Sequence, residues 1–133
     1  MSSEQLSEIA NKLIIFCSED KTIEGLDTLY SEDAVSVEAA IMPGKDSAET
    51  KGLDGIRGKH EWWYNAMEVH SSTVEGPFLH GEDHFLHGED HFGVIFDFDA
   101  TDKESKERVT MKELAIYTVK GGKIIREEFF YNT

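Results

Sequence analysis

Apolar and polar positions alternate with a period of two through the last third of the chain, the signature of β-strands with one buried face. In HFGVIFDFDA, Phe92, Val94, Phe96 and Phe98 share one face. In Val109 to Val119, Lys112, Leu114, Ile116 and Thr118 share one face, with Met111, Glu113, Ala115 and Tyr117 on the other. After the turn Lys120-Gly121-Gly122-Lys123, Ile125, Glu127, Phe129 and Tyr131 alternate with Ile124, Arg126, Glu128 and Phe130. With Val74 to His80 as the strand before them, these segments predict an antiparallel meander. Both faces of the last strands are semi-apolar, which suits a sheet covered by helices on one side and by a second subunit on the other.

The first half repeats at helical spacing. Leu6, Ile9, Leu13 and Phe16 predict a first helix opened near Ser3, and Ile23, Leu26, Leu29 and Tyr30 a short second one capped by Thr22. Ser31-Glu32-Asp33 ends it, Ala34 to Glu38 reads as a first strand, and Ile41 to Gly52 as a polar loop. Leu53 to His70 reads as a third helix capped by Asp54, with Ile56, His60, Trp63 and Met67 on one stripe. A histidine on such a stripe is either a satisfied core or rim residue or a pocket residue. Helices, a strand, a long helix and then a meander give an α+β order. No linker breaks residues 1–133, so a single domain is expected.

Residues 78–84, FLHGEDH, recur unchanged as residues 85–91, a tandem heptad. HGED between apolar flanks is hairpin-tip chemistry, and two copies offer two equivalent tips. Seven is odd, so the extra residues reverse the facing of every side chain beyond them unless they are expelled as a loop or bulge. One copy is therefore expected to turn and the other to be expelled. His80, His84, His87 and His91 suggest a metal site, but residues four apart on a strand lie on the order of 13 Å apart, and Gly81 and Gly88 oppose a helix. No metal site and no cofactor is expected. An undiverged repeat has the look of an engineered duplication.

The 133 residues include 27 acidic and 13 basic side chains, a formal charge of −14. Nucleic acid and anionic membranes are therefore excluded as expected partners. Cys17 is the single cysteine and sits in the apolar run LIIFC, as a core residue rather than a nucleophile. One cysteine permits no internal disulfide. With no signal pattern and no apolar run long enough to span a bilayer, a cytoplasmic protein is expected.

Leu29-Tyr30-Ser31-Glu32-Asp33-Ala34 running into a strand, Gly55-Ile56-Arg57 opening the third helix, and Gly122-Lys123-Ile124-Ile125-Arg126-Glu127 closing the sheet together resemble the nuclear-transport-factor-2-like superfamily, near the SnoaL-like polyketide cyclases and ketosteroid isomerases. The resemblance implies a curved, mainly antiparallel sheet wrapped around three helices as a cone (a cystatin-like α+β barrel) with a pocket at its open end. It places Glu38 where ketosteroid isomerases carry the proton-moving carboxylate. It places Ile14 and Leu114 where they carry the tyrosine and protonated aspartate that stabilise the enolate, so that mechanism is not expected here.

If Glu38, Lys112 and Glu127 face inward, as the resemblance implies, the cone holds two carboxylates and an ammonium among Trp63, Met67, Phe129 and Tyr131, with His60 above. Glu38 is then the candidate base, with His60 or Lys112 holding a developing oxyanion. Lys112 paired to a glutamate simply to neutralise buried charge accounts for the same residues. A proton-transfer isomerase, cyclase or dehydratase acting on a hydrophobic carbonyl or ring compound is the first functional expectation. The second is a non-catalytic module that binds a hydrophobic small molecule or dimerises. A homodimer is expected in either case.

Overall fold

Apolar stripes on the N-terminal helices set the interior of the molecule. The computed structural model describes residues 3–79 and 89–132. Helix α1 (Ser3–Ser18) buries Leu6, Ala10 and Leu13. Helix α2 (Thr22–Leu29) buries Gly25, Leu26 and Leu29. Strand β1 (Tyr30–Val37) follows directly, then β2 (Glu49–Lys51), α3 (Leu53–Ala66), β3 (Met67–Leu79), β4 (Glu89–Asp102), β5 (Arg108–Lys120) and β6 (Lys123–Phe130).

The six strands form one sheet in the order β2-β1-β6-β5-β4-β3. All neighbours are antiparallel except β1 and β6, the second and third strands of the order, which run parallel. Helix α1 packs against β3 and β4, and α3 against β1. The result is the α+β cone expected from the sequence: a curved, mostly antiparallel sheet closing over three helices. Phe92, Val94 and Phe96 of β4 and Ala115, Tyr117 and Val119 of β5 meet the buried faces of α1 and α2 in one core.

Several boundaries differ from the sequence-based expectation. Tyr30 belongs to β1 rather than to the second helix, because it is extended (φ −95°, ψ 147°) and its hydroxyl finds a buried partner described below. Helix α3 ends at Ala66; Met67 is extended and pairs with Asp102, and the β-branched residues Val69, Thr73 and Val74 continue the strand. Neither predicted cap forms: α2 and α3 are preceded by Lys21 and Gly52, neither making a side-chain cap bond. Within the expected loop, Glu49–Lys51 adds a short edge strand to β1.

Leu79 pairs with Phe92 and Phe78 with Gly93, so the residues beyond that ladder lie between positions 79 and 92. Glu89, Asp90 and His91 of the second copy are strand residues opposite Lys120, Val119 and Thr118. The expected tip of the first copy, the choice of which copy turns, and His80, His84 and His87 lie outside the described residues. Among the described residues no helix is long and apolar enough to cross a membrane.

Candidate functional site

Helix α3 crosses the inner face of the sheet at the β1 side, and its stripe points into the cone. Ile56 is fully buried there, while Lys59, His60 and Trp63 are only half-buried. Opposite them the inner face carries Ser36 and Glu38 from β1 and its end, Glu127, Phe129 and Tyr131 from β6 and its end, Glu113 from β5, and Phe96 and Phe98 from β4. His60, Trp63, Phe98, Glu113 and Tyr131 all keep partial exposure, so solvent reaches this part of the inner face, the cup of the cone.

One chain of polar contacts runs along its floor. Lys59 Nζ lies 2.5 Å from Glu38 Oε1, and Tyr131 Oη donates to Glu38 Oε2 at 2.8 Å. Lys59 Nζ also donates to Ser36 Oγ at 2.8 Å, and Ser36 donates onward to Glu127 Oε2 at 2.7 Å. Tyr30 donates to the other oxygen of Glu127. Glu127 is 1% exposed and Ser36 fully buried, so burial is matched here by hydrogen bonds on every oxygen, as a buried carboxyl requires. The Lys59 amine also stands 5.5 Å above the centre of the Phe129 ring, in cation–π range.

Two groups stand apart from this chain. Among the described residues neither the Glu113 nor the His60 side chain makes a hydrogen bond. Burial pushes the Glu113 carboxyl up to about 7, helped by the negative charges of Glu38 and Glu127 and opposed by Lys59. Burial lowers His60 below its ordinary 6.5, with Lys59 adding to that and Glu127 and Glu38 opposing it. The cup therefore holds a carboxyl poised near neutrality and a histidine favoured in its neutral form. The aromatic wall is continuous: Trp63 and Phe98 are tilted at 5.4 Å, Phe98 and Phe96 are stacked at 6.1 Å, and Phe96 pairs directly with Glu113 across the β4–β5 ladder. Trp62 beside it is 58% exposed and does not plug the cup.

Of the residues proposed from sequence, Glu38, His60, Trp63, Glu127, Phe129 and Tyr131 are gathered here. Met67 is buried at the α3–β3 junction. Lys112 is not in the cup. It is exposed on the opposite face of β5, beside Thr73, Asp97, Asp99 and Thr110 in a cleft of about 410 Å³. Leu114 likewise faces outward at 38% exposure. The β5 register carried over from the resemblance was thus one residue off: Glu113 is the inward carboxyl, and Lys59 from α3 is the interior cation. Sequence reasoning missed Lys59, Glu113, Ser36 and Tyr30. The one usable signal was Ala115 beside Tyr117, a small residue fit for close packing under helices and a reason to turn the odd-numbered face of β5 inward.

Cys17 is half-buried and its thiol is pushed up to about 12 by burial, so it is no ready nucleophile. Among the described residues no three His, Cys, Asp or Glu side chains converge as metal ligands would.

Comparison with known proteins bears on the same architecture. The model of the SnoaL-like domain family matches residues 4–131. A structure from Mesorhizobium loti, provisionally described as a SnoaL-like polyketide cyclase, is 36% identical, with a TM-score of 0.82 over 95% of this chain and 98% of that one. A protein of Catenulispora acidiphila with a ketosteroid isomerase-like fold, solved with trimethylamine, is 17% identical, with a TM-score of 0.64 over 99% of this chain and 88% of its own. A protein of Jannaschia, again provisionally a SnoaL-like polyketide cyclase, is 13% identical, with a TM-score of 0.71 over 97% and 86%. The last two share the fold alone. No curated protein matches the chain.

Proposed function

The chain belongs to the SnoaL-like domain family, and from that premise we propose that it moves a proton on a small hydrophobic carbonyl or ring compound, as an isomerase, cyclase or dehydratase does. The observation that carries this reading is Glu113: a half-buried carboxyl, free of hydrogen-bond partners among the described residues and held near neutrality at the wall of an aromatic cup. A general acid works best with an acidity near the working pH.

In this reading His60, neutral and unpartnered, takes the proton from the carbon next to the carbonyl. Glu113 donates its proton or hydrogen bond to the oxygen on which negative charge develops. Return of the proton from His60 to another carbon, with Glu113 taking back any proton it gave to the oxygen, gives the isomer with no net gain or loss. Glu38, the base expected from sequence, has one oxygen on Lys59 and the other on Tyr131. Its proposed part is to anchor Lys59 over the floor. Trp63, Phe98 and Phe129 hold the apolar body of the substrate.

Exchange of the protons beside the carbonyl in a panel of cyclic ketones, followed by NMR in deuterated water, tests this. The protein should speed exchange, and Glu113→Gln should cut that acceleration about 100-fold, the usual weight of a general acid. Exchange unaffected by the substitution sinks the assignment. Retained ligand binding with no exchange in either protein would favour the binding-module alternative.

We also infer a homodimer through the outer face of the sheet. A Cβ on Gly93 would touch Ile116, Leu114 and Phe78, and Leu114 pairs with the half-exposed Phe130, so the apolar side chains form one continuous patch. Exposed patches of this kind mark association surfaces.

A further inference from the structure

We infer that the cup takes a small organic cation, a protonated alkylamine, in preference to a neutral or anionic compound of the same shape. This rests on the reading of the cup as a ligand site and follows its binding-module alternative, in which Glu113 is ionised and pairs with the ligand instead of donating a proton to an oxygen. The first support is what the floor lacks. Three carboxyl groups, Glu38, Glu113 and Glu127, share the cup with one amine, and that amine is already engaged by Glu38, by Ser36 and by the ring of Phe129. An anion entering the cup finds no uncommitted cation, while Glu113 has no donor. An ammonium N–H supplies the missing donor and the missing charge together.

The second support is the wall. Trp63, Phe98 and Phe96 form a run of aromatic faces leading to Glu113, the surroundings in which an ammonium flanked by apolar groups is held by cation–π attraction. The molecule already makes that contact once, with Lys59 on Phe129. A formal charge of −14 raises the local concentration of cations around the whole surface.

The charged and titratable groups that bear on Glu113 are Glu38 from the end of β1, Glu127 from β6, Lys59 from α3, and the hydroxyls of Tyr117 from β5 and Tyr131 beyond β6; His60 from α3 shares the field of Glu127, Lys59 and Glu38. A cation binds the ionised form of Glu113, so its affinity rises as pH rises through about 7. Protonation of His60 at lower pH opposes it in the same direction.

Three ligands carrying the same tert-butyl group separate the outcomes: tert-butylammonium, tert-butanol and trimethylacetate, titrated calorimetrically into the intact protein and into Glu113→Gln. The ammonium should bind and the other two should not. Affinity should fall about tenfold from pH 8 to pH 6, following the ionised fraction of Glu113, and by about tenfold or more in Glu113→Gln. Equal or tighter binding of tert-butanol or trimethylacetate overturns the charge preference but keeps the cup as a small-molecule site. Binding of none of the three overturns both. Ammonium binding with the pH dependence intact in a folded Glu113→Gln overturns the assignment to that carboxyl.

Discussion

Glu113 carries its charge at a cost to the folded state, and the cost has a definite direction in pH. Its carboxyl ordinarily loses its proton near 4.5 and in the fold near 7. Between those values the native protein keeps a proton that the unfolded chain has released, so stability falls as pH rises through the window and the loss is complete above it. At about 1.4 kcal/mol per unit, discounted for partial exposure, the loss is on the order of 2 kcal/mol. Glu113→Gln should therefore be close to the parent in urea titrations at about pH 4.5 and more stable by roughly that amount at about pH 8. A gap that does not grow with pH would place this side chain in water. This residue also shows how far the sequence could be read. Each face of β5 carries one charged residue beside apolar ones, Lys112 with Leu114 and Glu113 with Ala115, so alternation identifies two faces without saying which is inside. His60 and Trp63 were legible because α3 has one clearly apolar stripe, and Glu38 because the family resemblance placed a carboxylate at the end of the first strand. Lys59 was not, because a lysine beside an apolar stripe ordinarily reaches solvent, and only the position of Glu38 in space turns it inward.

Among elements, the α1–α2 contact depends on one missing methyl group. A Cβ on Gly25 would lie 3.1 Å from Phe16 Cβ and 3.2 Å from the ring carbons next to it. The nearest of these is fixed to the α1 backbone, so the helices must separate to make room. Gly25→Val should destabilise the protein by about 1–3 kcal/mol, the range for overpacking, measurable as a lower urea midpoint with an unchanged slope. Gly25→Val at parent stability would show that the two helices slide freely. The helices were legible from their spacing, and the long strands from alternation. The ends were not: α3 stops at Ala66 because β4 reaches far enough to pair Asp102 with Met67, a contact no local pattern announces. Glu49–Lys51 has no apolar face and becomes a strand only through the free edge of β1.

For the whole molecule, charge and the outer sheet face work against each other. Apolar patches on Leu114, Ile116 and Phe130 favour a pair of copies, while −14 on each copy repels them. Salt screens the repulsion and leaves the apolar contact. Sedimentation should show the dimer tightening from low to moderate salt, and Leu114→Glu should return it to monomer with the fold intact. A monomer at every salt concentration, or a dimer indifferent to Leu114→Glu, would move the interface elsewhere.

The parallel pairing of β1 with β6 has a consequence in time as well as in space. Ser36 and Tyr30 meet Glu127, and Glu38 meets Tyr131, across more than 90 positions of chain. Until the last strand has left the ribosome, the nascent protein has neither Glu127 nor the parallel neighbour that completes its first strand, so a product that ends ahead of residue 127 leaves Tyr30 and Ser36 without their buried partner.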